Sequence, residues 1–561
     1  MFIRLKNPSV ILSIVPALLA LVGVVLLYNM YPIHINSGIG FGQDPAYQYL
    51  FAGVDILQGH APLHTDHPGT PLQTLIAGII ASSWFVLWLV GVMPLGLFDS
   101  VLRSPEIFLG TTSAVLLIIT SAANFYFGRR VYQVTQQYSI ALTCQFTPLL
   151  YVAVIPNVVY PTPEALLLTL SITLMGVLAP VVLSAGSVRR QFSQSTANWA
   201  GVICGLGVAT KLTFVPLLGL LLLFKTPRLI FRACFVCILA WLVGVLPIWS
   251  RLGTMFQWFY SLLMNSGIHG AGERTVFSAQ QLHSAIGWLL NQFSFFYYVV
   301  AAVGCLLILG LLLKIFQKIT TNVGKASWLS SIKVTPPIRA ISGDDLLTAI
   351  VFLLVCAVQT LMVAKHLGPG YMVPALPLTL LAFAWLLNGQ QVLQVSKALQ
   401  KVFGLCCLAV VLWTAAVSTT LAIRSLAQDR QKGLDSHAAI QQAIARYDHP
   451  LLIGAFNCNF AECALWFGMS LVPEMELKMA SVTPNFYYYD IFNKTLRVPG
   501  KGELSHQQTA ETVEHLVQQT RPVLLISPPF PQLSQLKLEL VTKTSVSSLY
   551  RVHGLANATK P

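Results

Sequence analysis

The sequence is short of charge, and of negative charge above all. Charged side chains make up 10% of its 561 residues, and only 20 residues are acidic. A soluble domain carries about a quarter charged residues, so a water-soluble globule is excluded for most of the chain. No His/Cys set has zinc-ligand spacing, which leaves no metal site to name. No internal repeat of the inverted-transporter kind is visible. The first apolar run lacks a small-residue cleavage site and is long for a signal peptide, so it reads as a retained helix. Hydrophobic residues fill the gap at 55%. They come in repeated runs of about 18 residues or more, the length a helix needs to cross a bilayer. The formal net charge of +14 fits basic cytoplasmic loops that orient these spans, not a nucleic-acid surface.

Ten cysteines are present. Cys144, Cys204, Cys234, Cys237, Cys305, Cys356, Cys406 and Cys407 sit in apolar runs and read as packing residues. Cys458 and Cys463 lie in a polar region and could pair if that region is outside the cytoplasm.

Basic clusters at Arg129/Arg130, Arg189/Arg190, Lys225 to Arg232, Lys314 to Arg339 and Lys397/Lys401 are placed in the cytoplasm. The expected spans are then 9–28, 105–127, 138–155, 163–183, a hairpin of two short helices over 199–224 broken near Lys211, 230–249, 290–313, 345–364, 371–388 and 402–422. The run 71–93 is apolar enough to cross. Crossing there would put Arg129 and Arg130 outside, so it is expected to be re-entrant or interfacial on the outer face. Residues 250–289 are expected as an outer loop. From about 424 the pattern turns polar and alternating: helices near 437–447, 459–468 and 506–519, strands at 450–456, 522–527 and 537–551. That is a small extracytoplasmic α/β domain. The domains are therefore 1–423, a membrane domain with an outer loop and juxtamembrane helices over 41–93, and 424–561. The fold class is an all-α polytopic membrane protein of about 11 transmembrane helices with an α/β C-terminal domain.

The stretch 41–73 concentrates what the chain otherwise lacks. It holds Asp44, Asp55 and Asp66, with His67 beside the last. In this topology Asp44, Asp66, His67, Glu164, Lys211, His269, Glu273, Lys365, His366 and Tyr371 all fall on the outer side or at outer span ends. Ionisable groups there are costly and usually functional. Each has a plainer reading. Asp44 caps a helix over 45–57, or acts as a general base toward a hydroxyl. Asp55 is eleven residues on, roughly 16 Å along a helix, so the two cannot share a metal, and Asp55 reads as solvated or capping. Asp66-His67 is a turn with a cap, or orients an acceptor. Glu164 meets the positive end of a helix dipole. Lys211 snorkels or meets a phosphate, and Lys365-His366 could do the same. His269 and Glu273 lie in a Gly-rich loop that is a connector or a mobile cover.

In order along the chain, these residues resemble the polyprenol-dependent GT-C glycosyltransferases, the branch of aminoarabinose and protein O-mannosyl transferases. The likeness is carried by Asp44-Pro-Ala-Tyr47 in an outer first loop, His67-Pro-Gly-Thr-Pro71, Arg103-Ser-Pro before a span ending Gly128-Arg-Arg, Pro163-Glu164, Gly205-Leu-Gly-Val-Ala-Thr-Lys211, and Lys365 to Pro374. It covers roughly residues 1–390. Where that family has an acidic pair, this chain has Asp44-Pro45, and it has no Asp-x-Asp in the loop. The resemblance implies a sugar moved from a polyprenyl-phosphate donor to a hydroxyl of a glycan, lipid or protein acceptor on the outer face. Asp44 would be the base. Lys211, Lys365 and His366 would stabilise the phosphate, Asp66 or Glu164 would position the sugar or the acceptor, the loop 265–276 with His269 and Glu273 would order over the donor, and His67 and Tyr371 complete the substrate- and phosphate-binding set. No cofactor is required in that scheme; a divalent cation, which Asp66 and His67 could bind, is an open alternative that ligand spacing does not support. The alternative class is a polytopic lipid or solute transporter, which calls for polar residues reachable from both sides of the membrane.

Overall fold

Helices start where the sequence supplies a proline or a cap. Pro8, Pro105, Pro163 and Pro227 each occupy a first helical turn, where the missing N–H costs nothing. Ser193 and Ser342 instead accept a backbone N–H three residues on. The computed structural model describes the chain apart from residues 1–6, 31–42, 66–68, 94, 185–192, 267–269, 271, 276–278, 324–341, 389–396, 457, 471, 473–476 and 557–561, and within helices apart from the side chains of 43, 44, 313, 316–323, 369 and 397–401.

Helix α1 (Pro8–Met30) packs against α5 (Pro105–Thr135), with α2 (Gln48–Leu57), α3 (Thr70–Leu89) and α4 (Leu97–Arg103) between them in sequence. Gly23 meets Leu117, while the Leu12 carbonyl accepts at 2.9 Å from Gln145 Nε2, whose side chain lies against Gly128 of α5, so α1 and α5 run antiparallel. The chain returns through α6 (Tyr138–Gln145) and reaches α7 (Pro163–Leu183). Thr120 and Thr169 hydroxyls lie 2.7 Å apart, and Gly176 abuts Tyr126 seven residues on. Helices α5 and α7 are therefore parallel.

The span expected over 138–155 is not a continuous helix. Pro148 and Pro156 break it into α6 and two 3-10 turns, Thr147–Leu149 and Ile155–Val158. Irregular backbone is tolerated at membrane depth only inside protein, and Phe146 to Tyr151 are buried.

The hairpin over 199–224 differs in kind from the expectation. Helix α8 (Gln194–Thr210) and α9 (Pro227–Gly244) are parallel. A Cβ on Gly201 would meet the Ala233 carbonyl at 2.4 Å, and one on Gly205 the Cys237 carbonyl at 2.3 Å; small residues four apart permit this approach. Between them the chain comes back as a 13-residue 3-10 helix, Leu212–Phe224. At about 2.0 Å per residue it gains roughly 26 Å, matching the roughly 25 Å of the 17-residue α8. It runs antiparallel to α13 (Gly343–Lys365): Lys225 pairs with Asp344, and Gly219 faces Val355.

The remaining helices are α10 (Leu252–Met264), α11 (Ala279–Gln292), α12 (Ser294–Val323), α14 (Leu376–Asn388) and α15 (Lys397–Ile444). The expected outer loop 250–289 is thus largely helical. Among the described residues nine helices are long and apolar enough to cross a membrane. With the 138–162 return, α8 and the 3-10 helix, and with α3 set aside, the chain makes about eleven traversals. Leu21, Ile118, Phe231 and Trp413 are exposed on these spans, an apolar surface suited to lipid. Three of the cysteines expected as packing residues, Cys234, Cys305 and Cys406, are on that exposed surface.

The bundle has two unlike ends. Arg129, Arg130, Lys225, Arg228 and Arg232 mark one. Glu164, Lys211 and Lys365 mark the other, called here the site end. Helix α3 starts at the site end, where Gly69 N–H donates to the Thr210 carbonyl at 2.9 Å. It leads to α4, which joins the first residue of α5 through Ser104 alone, again at the site end.

Helix α15 is unbroken for 48 residues, so residue 424 lies inside it. It leaves the bundle at the site end, with Ser418 donating to the Leu150 carbonyl at 2.9 Å and Arg430 set 4.9 Å from the Tyr28 ring. A seven-stranded sheet follows, ordered β4-β3-β2-β1-β5-β7-β6. Its strands are β1 Leu451–Ala455, β2 Phe486–Asp490, β3 Thr495–Val498, β4 Gly502–Glu503, β5 Val523–Ser527, β6 Leu536–Lys543 and β7 Ser548–Leu555. Strand β1 is parallel to β2 and β5, and the outer pairings are antiparallel. Helices α16 (Ala461–Met469) and α17 (His506–Gln518) complete the domain. The sequence reading has β1, β5, the late strands and both helices, but not β2, β3 or β4. Cys458 and Cys463 are bonded to each other.

Candidate functional site

Helix α8 stops at Thr210, and Lys211 follows in extended backbone. That break turns the lysine toward the first turn of α7. Its Nζ lies 2.6 Å from Glu164 Oε1 and 4.5 Å from the Tyr371 ring centroid. A buried ammonium is expensive unless paired, and Lys211 is 5% exposed. The carboxylate and the aromatic face supply that pairing. Tyr371 arrives on a 3-10 helix, Pro369–Ala375. A Cβ on Gly370 would lie 2.9 Å from Glu164 Cγ, so glycine permits the approach.

The connection 61–65 docks beside this pair. Gln73 Nε2 donates to the His64 carbonyl at 3.0 Å, and Arg251 Nε to the Ala61 carbonyl at 3.2 Å. The His64 ring sits 4.8 Å from that of Tyr49, and its Nδ1 is buried without a hydrogen-bond partner. Burial, and then the charge of Lys211, pull the imidazole down to about 4. It is neutral at ordinary pH.

Lys365 and His366 are held at the end of α10. The lysine ammonium donates to the Leu263 carbonyl, and the imidazole Nε2–H to that of Leu262 at 2.8 Å. These are last-turn carbonyls, the negative end of a helix dipole. Together with Lys211 and Tyr371 they head a cavity of about 980 Å³. Its walls are Leu212, Trp258, Phe259, Leu262, Trp288 and Met362, among others. Cations in a lining that is otherwise largely apolar, with Thr213, Gln280, Gln281 and Ser284 as its other polar members, suit an amphiphile with an anionic head.

Asp44 lies in a single π-helical turn, Gln43–Tyr47; its side chain is outside the described atoms. The turn is pinned by its last residue, since Tyr47 hydroxyl donates to Glu106 Oε1 at 2.8 Å. Helix α16 covers it: a Cβ on Gly468 would fall 2.7 Å from Tyr47 Cβ and 2.9 Å from Phe51. Among the described side chains, none of residues 45–65 lines the cavity. Asp66, His67 and His269 lie outside the described residues. Glu273 is exposed, its carbonyl accepting from Ser266 N–H at 2.8 Å. Asp55, expected to be solvated or capping, is not solvated: it is 5% exposed. Among the described residues no group of three or more His, Cys, Asp or Glu could hold a metal ion.

The structure thus gathers Glu164, Lys211, Lys365, His366 and Tyr371, and keeps Glu273 apart in its loop. Sequence reasoning missed His64, the Tyr47–Glu106 pair, and Trp258 and Trp288. The tryptophans stand on α10 and α11, whose amphipathic pattern in LGTMFQWFYSLLM and AQQLHSAIGWLLNQ was the available signal.

No protein-family model matches the chain, and no curated protein sequence does. Two solved structures are similar over almost the whole length. The apo state of ArnT from Cupriavidus metallidurans superposes with TM-score 0.50 at 14% identity, covering 97% of this chain and 97% of that one. ArnT from the same organism bound to undecaprenyl phosphate gives 0.47 at 13% identity, covering 97% and 98%. The apo likeness shows a shared fold. The chain shares that polytopic helical architecture, with a small sheet domain after the bundle.

Proposed function

We propose that the protein is an integral-membrane glycosyltransferase. It moves a sugar from a polyprenyl-phosphate donor to an acceptor hydroxyl, with inversion, and Asp44 is its general base. The observation that carries this reading is the Lys211–Glu164–Tyr371 cluster at the head of the apolar-walled cavity. A polyprenyl phosphate is an anionic head on a long apolar tail, and this cavity offers a partner to each part. The head sits against Lys211 and Lys365, and the first isoprene units lie along Trp258, Trp288 and Met362.

In the reaction the acceptor oxygen forms a bond to the anomeric carbon and gives its proton to the Asp44 carboxylate. The bond between that carbon and the phosphate oxygen breaks, and its electron pair leaves with the phosphate. A phosphate is already a stable anion, so no strong acid is called for. The lysines stabilise the charge that grows on the departing oxygen. Glu164 keeps Lys211 in place before donor binds. The residues lining the cavity belong to the site end, whereas a transporter calls for access from both ends. The active face and the C-terminal domain are extracytoplasmic in this reading.

The test is transfer from a polyprenyl-phosphate sugar by the purified chain. Asp44→Asn is expected to abolish transfer while lipid-phosphate binding and expression are retained. Full activity in that variant would sink the assignment.

A further inference from the structure

The cavity headed by Lys211 holds polar groups that phosphate and lipid leave unused. Thr213 stands two residues past the lysine, on the 3-10 helix Leu212–Phe224, and lines the cavity. Its side chain is 9% exposed, and its hydroxyl is buried without a hydrogen-bond partner. Such a hydroxyl has lost its water and gained nothing in exchange, a net cost to the fold. An unsatisfied group on the wall of a ligand cavity calls for a partner that arrives with the ligand. Helix α11 supplies the other polar members. Gln281, Ser284, Ala285 and Trp288 recur at i, i+3, i+4 and i+7, a single helix face, and all four line the cavity with Gln280 beside them. That face is polar over its first turn and apolar over its second. The Ser284 hydroxyl donates to the Gln280 carbonyl at 3.1 Å, which leaves its oxygen to accept, and each glutamine amide both donates and accepts.

The charge of the lining is of one sign. Its charged members, Lys211 and Lys365, are both cations, and among the described residues it has no Asp or Glu. Glu164 reaches this end of the bundle, but its carboxylate is bonded to Lys211 Nζ at 2.6 Å and it does not line the cavity. In the proposed reaction Asp44 has to take a proton from the acceptor, and an ammonium paired with it would weaken it as a base. A sugar carrying a free amine, protonated at neutral pH, would thus meet like charge and no carboxylate to pair with. Neutral hydroxyl and acetamido groups meet Thr213, Gln281 and Ser284 without that conflict. Space is sufficient: about 980 Å³ is near the top of the range for sites that enclose a whole small molecule, so a sugar fits beside the phosphate and the first isoprene units.

We propose that Thr213, Gln281 and Ser284 are the specificity-determining residues of a donor-sugar subsite in this cavity, and that the subsite selects an uncharged sugar over an amino sugar. Hydroxyls of the sugar exchange hydrogen bonds with the threonine, the serine and the amide, while the apolar second turn of α11 borders the lipid. A site built on buried polar groups discriminates by what an ill-matched ligand leaves unpaired. The proposal deepens the transferase reading by naming the charge class of the donor, and it rests on that reading for the sugar phosphate itself.

The experiment measures binding to the full-length protein in lipid nanodiscs. Four probes are used: bare polyprenyl phosphate, and polyprenyl phosphates carrying a hexose, an N-acetylhexosamine and the same hexosamine with its amine free. At least one of the two uncharged donors is expected to bind about tenfold tighter than the bare lipid, the order of one or two net hydrogen bonds. The free-amine donor should bind at least about tenfold more weakly than its acetylated form. Thr213→Val deletes the hydroxyl and keeps the shape. It should melt no lower than the wild type, because the hydroxyl has no partner to lose. It should weaken the uncharged donors about fivefold and leave the bare lipid unchanged, and Thr213→Ser should restore them. A free-amine donor bound as tightly as the acetylated one overturns the charge selection. Donor affinity unchanged in Thr213→Val, or lost equally for the bare lipid, overturns the subsite. The two readings fail differently. Bare lipid that binds as well as every sugar-bearing donor refutes the subsite alone, whereas binding of none of the four refutes the transferase reading and the subsite with it.

Discussion

Lys211 reaches the site because its helix ends one residue earlier, and the cost of burying it is met by groups from two other helices. Glu164 comes from the first turn of α7 and Tyr371 from the turn after α13. The neighbouring His64 is buried by the same convergence, and it carries a pH signature. Its usual value is 6.5, and the folded protein holds it near 4. Between those values the unfolded chain binds the proton and the folded chain does not. Stability from this residue is therefore complete above about pH 6.5 and is lost as pH falls toward 4, by up to roughly 3 kcal/mol. Thermal unfolding in detergent should show it: from near pH 7 to near pH 5 the wild type should lose more stability than His64→Gln, which has no proton to gain. Equal losses would mean that the imidazole is solvated or charged in the native state.

At the scale of elements, two close approaches fix the site. Gly201 and Gly205 let α8 lie against α9, which sets where Lys211 emerges. Gly468 lets α16 lie on the Gln43–Tyr47 turn, which sets where Asp44 stands. In Gly468→Val the branched side chain would meet Tyr47 Cβ and the ring of Phe51, both buried. Overpacking of this kind costs about 1–3 kcal/mol. The expected outcome is a fold that still purifies, with kcat for sugar transfer reduced at least about tenfold and lipid-phosphate binding unchanged, since the cavity lies away from α16. If binding falls as much as turnover, the substitution has disturbed the whole bundle rather than the turn.

Elements also show what the sequence could and could not reveal. The long spans, the break at Lys211 and the placement of Glu164 were legible, because apolar length and a lone buried cation are local signals. The 3-10 return over Leu212–Phe224 was not, since hydropathy does not distinguish a 2.0 Å rise from a 1.5 Å one. Strand β2 was hidden in FYYYD, an aromatic run without apolar–polar alternation, because it is buried between β1 and β3. The docking of α16 on the Asp44 turn joins residues more than 400 apart, and no local pattern announces such a contact.

For the whole molecule, the separation of its two ends makes the strongest commitment. Arg129, Arg130, Lys225, Arg228 and Arg232 gather at one end, while the site cluster, the emerging α15 and the sheet domain share the other. Basic residues beside spans stay in the cytoplasm, so the site end should face away from it. Helix α3 is what could upset this. It is long and apolar enough to cross, and a crossing there would put the two ends of α5 on the wrong sides. Its start on Thr210 and its continuation through α4 into the first residue of α5 argue that it returns to the face it left. Labelling decides the matter. In a background with the eight unpaired cysteines replaced by alanine, Gln194→Cys at the start of α8 and Gln519→Cys beyond α17 are both exposed positions. With an impermeant maleimide, sealed right-side-out vesicles should label Gln519→Cys alone, and inverted vesicles Gln194→Cys alone. The reverse pattern, Gln194→Cys alone in right-side-out vesicles and Gln519→Cys alone in inverted ones, would mean that α3 crosses and that the site end faces the cytoplasm.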